Sequence, residues 1–573
     1  MLFIPRKSDL VADCPIDSAY VLYLGHSLAI RDGIILMTRL VNGGAAVVAA
    51  LRACGVRTVF GIPGTHNLEL YRALAGSGIA HVSPRHEQGA GFAADGYART
   101  TGAPGVCITT SGPGLTNITT AIGTAYADSV PLLVIAPGVP RGLERRDVGW
   151  LHEMRDQRAH LQGLVDVSVR AQSAEEATAV IAGAFARWSA GRPRPVYLEV
   201  PLDVLEGSWG GDQVPGPAVP AAQLPVPDPA QLAAAARRLG EARAPVIVVG
   251  GGAVGAASEL TRLVERLGAL TVSTVNGKGV LDEHHPLSLG ASIRLEPAQR
   301  VIDSADVVLC VGTELGDSDL WGGTLSPAGT VIRADIEAGQ LQKNLRADIT
   351  LHGAARQIVT DLLALLGARS SDSGSAAAAA ARAADARREI EAAALRDGAP
   401  WREIQDELRR ALPPEVVVAG DSAQVSYYGT VHFWPAAAPR RFLYPTGFAP
   451  LGYGLPAAIG AKAGQPDLPV IVLVGDGGFQ LTSAELMTAT ELRLNLPVIV
   501  MNNGGYGEIR REMVERGIRP LGVGIGSPDY AAFAESFGAI GHREADPQQV
   551  ARLAAAALRA DRPTVIEVPV PAA

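Results

Sequence analysis

Two apolar runs, Val470–Val474 and Val498–Met501, each stop abruptly in a polar, glycine-rich turn, GDGG and NNGGYG. Between them, Gln480 to Leu494 carries good helix formers with apolar residues at helical spacing. The segment reads as one β–α–β unit with parallel strands and a right-handed crossover. Both strands of such a unit finish at the same sheet edge, where ligands of α/β proteins bind. Asp476 and Asn503 therefore converge despite their separation in sequence. A carboxylate and a carboxamide beside turn carbonyls suit a small hard cation of the magnesium type, which prefers oxygen ligands and keeps bound phosphates. The glycines of the two turns, Gly475, Gly477, Gly478 and Gly505 among them, leave backbone N–H groups open to phosphate oxygens. The plainer alternative is an ordinary β–α–β unit whose glycines only turn the chain.

At 573 residues the chain is too long for one core, so several domains are expected. A hydrophobic content of 47% with 19% charged residues fits well-buried α/β cores. The formal net charge of -8 comes without a basic stripe, which argues against a nucleic-acid partner. No uninterrupted apolar stretch is long enough to span a bilayer, so no membrane partner is expected. Cys14, Cys54, Cys107 and Cys310 lie far apart with no CxxC pair, which fits reduced thiols and a cytoplasmic location. Met1 to Leu36 mixes charge, Pro5, Pro15 and short apolar fragments without helical or strand period. Residues 1–37 therefore read as a disordered extension or a mistaken start site, and they lack the layout of a signal peptide.

Residues 38–205 alternate strand-like TVFGIP, HVSPR, GVCITT and PLLVIA with helical segments, which predicts a parallel sheet covered on both faces. A proline- and glycine-rich linker is expected at 206–229. Residues 230–366 form a second block with strands PVIVVG, LTVST, VVLCVG and TVIRADI. Residues 367–398 read as a low-complexity linker whose alanine-rich part is helical. The third block, 399–573, holds EVVVAGD, the paired glycine turns and TVIEV. The fold class is α/β, with three doubly wound, Rossmann-like parallel sheets.

GDG followed at a distance by NN resembles the diphosphate motif of the thiamine-diphosphate enzymes. That resemblance implies that Asp476, the Asn503 side chain and the Gly505 carbonyl hold a Mg2+ ion carrying the cofactor's diphosphate. RHEQGA resembles the segment of acetolactate synthases and their relatives that contributes an activating glutamate. Glu87 would then hydrogen-bond the ring nitrogen of the aminopyrimidine, shifting its amine toward the imino tautomer that removes the thiazolium C2 proton. Without the resemblance, a glutamate opening a helix is favoured by the helix dipole alone. SGPGLTN resembles the family loop beside the two rings, which implies contacts from Gly112, Pro113 and Asn117. GDSAQ resembles the segment that contacts the diphosphate, which implies Ser422 and Gln424. TGFAPLGYGLPAA looks like the segment that bends the cofactor, with Leu451 wedged between the rings and the Ala449 carbonyl accepting from the 4'-amine. Strand-to-helix turns and a core leucine are the plainer readings of these segments. The three blocks match the pyrimidine-binding, central and diphosphate-binding domains of this family, covering essentially everything after Met37. In the family the glutamate and the metal meet across a subunit interface, so a homo-oligomer, at minimum a homodimer, is implied.

The resemblance implies a 2-oxo acid substrate that loses carbon dioxide, after which protonation gives an aldehyde or a second carbonyl gives a ligated product. Acetolactate synthases follow NN with GMVxQWQ, whose tryptophan shapes the acceptor site. Here the run is Gly507-Glu508-Ile509-Arg510-Arg511-Glu512-Met513, with glutamates at the methionine and tryptophan positions. GIPGTHNLELYRALAG, RHEQGAGFAADGYART and LHEMRDQRA instead resemble 5-guanidino-2-oxopentanoate decarboxylases. A basic 2-oxo acid is the expected substrate, with Glu508 and Glu512 as candidates for its guanidinium. The alternative is a solvated helix face on which Glu508 pairs Arg511 and Glu512 pairs Arg516. His66 is a candidate proton donor and substrate contact, or a structural histidine. GGGAVG, Gly250 to Gly255, fits GxGxxG after a strand and raises a flavin- or nicotinamide-binding oxidoreductase as a reading of another class. The arginine that flavin-holding acetolactate synthases place after the later strand is missing from VGTELGDSD, so no bound FAD is expected. Acetolactate synthase-type carboligation of pyruvate is the second reading.

Overall fold

Strands form where β-branched runs sit between glycine or proline turns, and the computed structural model describes them within residues 26–31, 34–39, 41–210, 223–367 and 373–571. The expectation for residues 1–37 falls mostly outside the described residues. Within it, β1 (His26–Arg31) pairs antiparallel with β2 (Ile34–Arg39), so this portion is a strand pair that the missing period did not announce. Much of the expected linker at 206–229 also lies outside the described residues.

The first block contains β3 (Thr58–Gly61), β4 (Ala80–Val82), β5 (Gly105–Ile108), β6 (Leu132–Gly138), β7 (Val167–Arg170) and β8 (Val196–Pro201). They pair in parallel in the order β4-β3-β5-β6-β8-β7. The central block has β9 (Val246–Val249), β10 (Leu270–Ser273), β11 (Val307–Val311), β12 (Thr330–Asp335) and β13 (Ile349–His352), ordered β10-β9-β11-β12-β13. The third has β14 (Val417–Gly420), β15 (Phe442–Leu443), β16 (Val470–Gly475), β17 (Pro497–Asn502), β18 (Ile540–Arg543) and β19 (Thr564–Pro569), ordered β15-β14-β16-β17-β19-β18. In each sheet the chain starts inside and winds outward both ways. A crevice therefore opens at the strand C-termini beside the first strand, between β3 and β5, β9 and β11, and β14 and β16.

Two elements differ from expectation. The segment between β16 and β17 is two helices, Asp476–Thr482 and Glu485–Glu491, because Thr482 and Ser483 hydroxyls donate to the Gly452 and Gln480 carbonyls at the break. The expected linker 367–398 is helical in its alanine-rich part as expected, but that helix, Ser373–Ala411, does not stop there and runs on into the third block. Alanine carries the helix through this stretch. Ala379, Ala383 and Ile390 pack in the central core, while Trp401, Ile404 and Leu408 pack in the third.

The first and third blocks share one buried core through the crossing of the helices Glu87–Thr101 and Gly454–Gly464. Glycine makes the crossing close: a Cβ on Gly460 would overlap the Ala93 carbonyl, and one on Gly96 the Ala457 carbonyl. Phe92 meets Tyr453 edge to face at 5.4 Å, and Tyr453 Oη donates to the buried Asp95 at 2.6 Å. Gly460→Ala is expected to overpack this crossing by ~2 kcal/mol and lower the melting midpoint by about 5 °C. Scanning calorimetry checks it, and an unchanged midpoint would mean the helices part without cost.

Candidate active site

The switch point of the third sheet brings together what the paired turns predict. Asp476 follows β16 and is buried, with Ser527 Oγ donating to its Oδ2 at 3.3 Å. Burial pushes its carboxyl above the ordinary range, against hydrogen bonds from the Gly477 N–H and Ser527. Asn502 ends β17, and its Oδ1 accepts from Ser527 at 3.0 Å and from the Gly504 N–H at 3.1 Å. Asn503 Oδ1 accepts from the Gly505 N–H at 3.2 Å. Gly505 has φ +153° and lies against Val523, where a Cβ would overlap the carbonyl oxygen; only glycine fits.

Across the crevice, Asp421 follows β14 and is fully buried. It accepts from the N–H groups of Ser422 (3.1 Å), Gly452 (2.8 Å) and Tyr453 (3.1 Å). Burial nevertheless pushes its pKa to about 6. A Cβ on Gly478 would overlap Asp421 Oδ2, so this carboxyl ties the GDGG turn to the segment carrying Ala449 and Leu451. Sequence reasoning passed over Asp421, although its place after a strand in GDSAQ marks it.

Every third-block candidate lines one cavity of about 2250 Å³: Ser422 and Gln424, Ala449 and Leu451, Gly475, Asp476, Gly477 and Gly478, Asn503 and Gly505, Glu508 and Glu512. The two glutamates also make the helical pairs that the plainer reading gives them, Glu508 with Arg511 at 2.5 Å and Glu512 with Arg516 at 3.0 Å. Glu508 further accepts from Gln424 Nε2 at 2.7 Å and Tyr428 Oη at 2.9 Å. Both its oxygens are thus engaged, while Glu512 has one side-chain partner among the described residues.

The first-block candidates gather elsewhere, at the switch point between β3 and β5. Glu87 opens its helix, is buried, and accepts from Asn117 Nδ2 at 2.9 Å. A Cβ on Gly114 would stand 3.1 Å from Glu87 Oε1. His86 is the N-cap of that helix, accepting from the Gln88 N–H at 3.1 Å. Glu485, a residue missed in sequence reading, braces the same turn by accepting from the N–H groups of Arg85 and His86, both at 3.0 Å. Pro113 begins the short helix after Gly112, whose N–H donates to Gln157 Oε1 at 3.0 Å. His66 Nδ1 bonds Ser111 Oγ at 2.6 Å, and its ring lies 5.1 Å from that of His152. Burial, then the His152 ring, holds His66 below the ordinary imidazole range, so it is neutral near pH 7. His152 also escaped sequence reading; its φ is +62° and its buried Nδ1 has no partner among the described residues.

None of Glu87, His66, Gly112, Pro113 or Asn117 lines the cavity that holds Asp476. One chain thus carries two half-sites. In the central crevice, the glycines of Gly250–Gly255 serve a close crossing of turns: the Gly252 N–H donates to the Gly312 carbonyl at 3.0 Å. Among the described residues no cluster of three His, Cys, Asp or Glu side chains could hold a metal, and no helix is long and apolar enough to cross a membrane. Cys54, Cys107 and Cys310 are free thiols, and Cys14 lies outside the described residues.

Three family models match in chain order: the thiamine pyrophosphate enzyme N-terminal TPP binding domain at 41–166, the central domain at 232–362 and the C-terminal TPP binding domain at 421–568. The chain belongs to the thiamine pyrophosphate enzymes, and it is an enzyme with that cofactor's binding domains. It is 44% identical over 535 residues to the probable 2-ketoarginine decarboxylase AruI of Pseudomonas aeruginosa, covering 92% of this chain and 94% of that one. It is 32% identical over 555 residues to a probable acetolactate synthase large subunit of Methanocaldococcus jannaschii, covering 92% and 91%. An acetolactate synthase of Arthrospira platensis is 32% identical over 535 residues, covering 87% and 89%.

Proposed function

We propose that this enzyme decarboxylates a 2-oxo acid with a basic side chain, 5-guanidino-2-oxopentanoate (2-ketoarginine) or a close analogue, using thiamine diphosphate and Mg2+. The 44% identity to AruI across nearly the whole chain carries the substrate choice. The cofactor fits the residues present: Asp476, the Asn503 carboxamide and the Gly505 carbonyl are an all-oxygen donor set suited to Mg2+. Glycine at 477 and 478 keeps side chains out of the same turn. Bound thiamine diphosphate supplies a nucleophilic carbon and an electron sink.

The chain's own residues do the rest. Glu87, positioned by Asn117, is the carboxyl that would hydrogen-bond the cofactor's pyrimidine nitrogen and hold the proton there. The Ala449 carbonyl and the Leu451 side chain, with Gly112 and Pro113 from the other half-site, would hold the cofactor's rings. Ser422 and Gln424 face the diphosphate. His66, neutral and backed by His152, handles the proton delivered to the product carbon. Glu508 and Glu512 form an acidic wall toward the guanidinium, with Glu512 the freer carboxylate.

Because the Glu87 cluster and the Asp476 cavity are separate within one chain, the working site joins the first block of one copy to the third of another. Exposed apolar groups flank both halves, Val148 and Leu151 beside His152, Ile509 and Val514 on the helix after Asn503. They support a homo-oligomer of at least two copies.

With thiamine diphosphate and Mg2+, purified enzyme is expected to release carbon dioxide and the guanidino aldehyde from 5-guanidino-2-oxopentanoate. Acetolactate from pyruvate, which the 32% identity to acetolactate synthases favours, would replace this reading with the carboligase. Carbon dioxide from neither acid would discard both.

A further inference from the structure

Arg294 of the central block lines the same cavity as Asp476 and Glu508. Its guanidinium lies over the Trp321 ring at 4.6 Å and the Tyr428 ring at 5.2 Å. Nε donates to His432 Nε2 at 2.8 Å, but Nη2 is buried with no hydrogen-bond partner among the described residues. The surroundings do not balance the charge. Burial, Arg294 and Lys278 hold His432 well below its ordinary range, so it accepts as a neutral ring. Tyr428 is pushed up to about 12 and stays neutral. Asp397 is felt at a distance, yet it pairs with Arg511 at 3.4 Å.

Two other inward-facing arginines have their N–H groups occupied. Arg99 pairs with Asp95 at 2.6 Å and Asp128 at 2.8 Å. Arg333 donates to the carbonyls of Lys343 and Thr313, both at 2.6 Å. A desolvated guanidinium is costly unless its N–H groups meet acceptors, as those of Arg333 meet carbonyls, or an anion reaches it. The two rings and His432 fix the plane of the Arg294 guanidinium and leave Nη2 as an unmatched donor, a geometry suited to a planar carboxylate.

We propose that Arg294 binds the carboxylate of the 2-oxo acid, an assignment that rests on reading the chain as a 2-oxo acid decarboxylase. A substrate guanidinium is repelled from this point, which orients it toward Glu512. The contact is made to the group that departs as carbon dioxide. It therefore strengthens substrate binding more than it lowers the barrier, and its loss falls on KM rather than kcat.

The test uses the holoenzyme with Arg294→Met and Arg294→Lys, checked for unchanged melting, and a panel of basic and neutral 2-oxo acids including 2-oxopentanoate. Arg294→Met is expected to raise KM about tenfold or more for every acid turned over, with kcat changed about threefold or less, and Arg294→Lys to recover part of the loss. The assignment is overturned by an unchanged KM, by a rise confined to basic acids, or by a loss confined to kcat. If the unaltered enzyme turns over neutral acids but not the guanidino acid, the proposed substrate falls while Arg294 is still judged on the neutral ones. No turnover of any 2-oxo acid removes both.

Discussion

Glu87→Gln is expected to cut turnover about a thousandfold while leaving cofactor affinity within a few-fold of the parent. Glutamine keeps the length of the side chain and an oxygen for the Asn117 Nδ2 donor, which now bonds Glu87 at 2.9 Å. It removes only the proton that the carboxyl exchanges. The bracing of the helix start by Glu485 is untouched, so folding should be unaffected. Steady-state carbon dioxide release and calorimetric titration with thiamine diphosphate, run on the same preparation, separate the two effects. Turnover equal to the parent would refute the role given to Glu87.

Asp476→Ala should give the opposite pattern, weakening Mg2+-dependent binding of thiamine diphosphate by about a hundredfold or more. The site has one carboxylate among its proposed metal ligands, and amide and carbonyl oxygens alone hold a divalent cation poorly. Calorimetry with and without Mg2+ is the measurement; affinity that no longer depends on the metal is the expected result, and parental affinity would sink the metal assignment. Subunit exchange between the two variants adds a further readout. With the site shared between copies as proposed, a mixed pair would contain one cleft with intact Glu87 and intact Asp476, so partial activity should return from two inactive parents.

Much of the site was legible because its signals are local. GDGG and NNGGYG sit at the ends of adjacent parallel strands, and two strands of one β–α–β unit necessarily open at one edge. The place of Glu87 at the start of a helix after a strand was readable from position, but its role was suggested only by the resemblance of RHEQGA. The helical spacing of Glu508 with Arg511 and Glu512 with Arg516 was equally readable, and those pairs form. The rest depends on contacts distant in sequence. Glu485 braces Arg85 from 400 positions away, and Tyr453 meets Asp95 across 358, distances over which no periodicity speaks. His152 depends on an irregular loop and a left-handed backbone, which residue pattern does not foretell. The GGGAVG spacing is ambiguous for a different reason: glycines that admit a phosphate and glycines that admit a second turn look alike, and Gly252 both meets Gly312 and lines the cavity.

The helix Ser373–Ala411 belongs to two hydrophobic cores at once, Ala383 in one and Leu408 in the other. It ties the two blocks along one helix, and Pro400, between the two packed stretches, marks the turn at which that helix bends most readily. The contacts proposed for the two ends of the acid, one on each block, would therefore keep their spacing only as well as that single turn holds its angle.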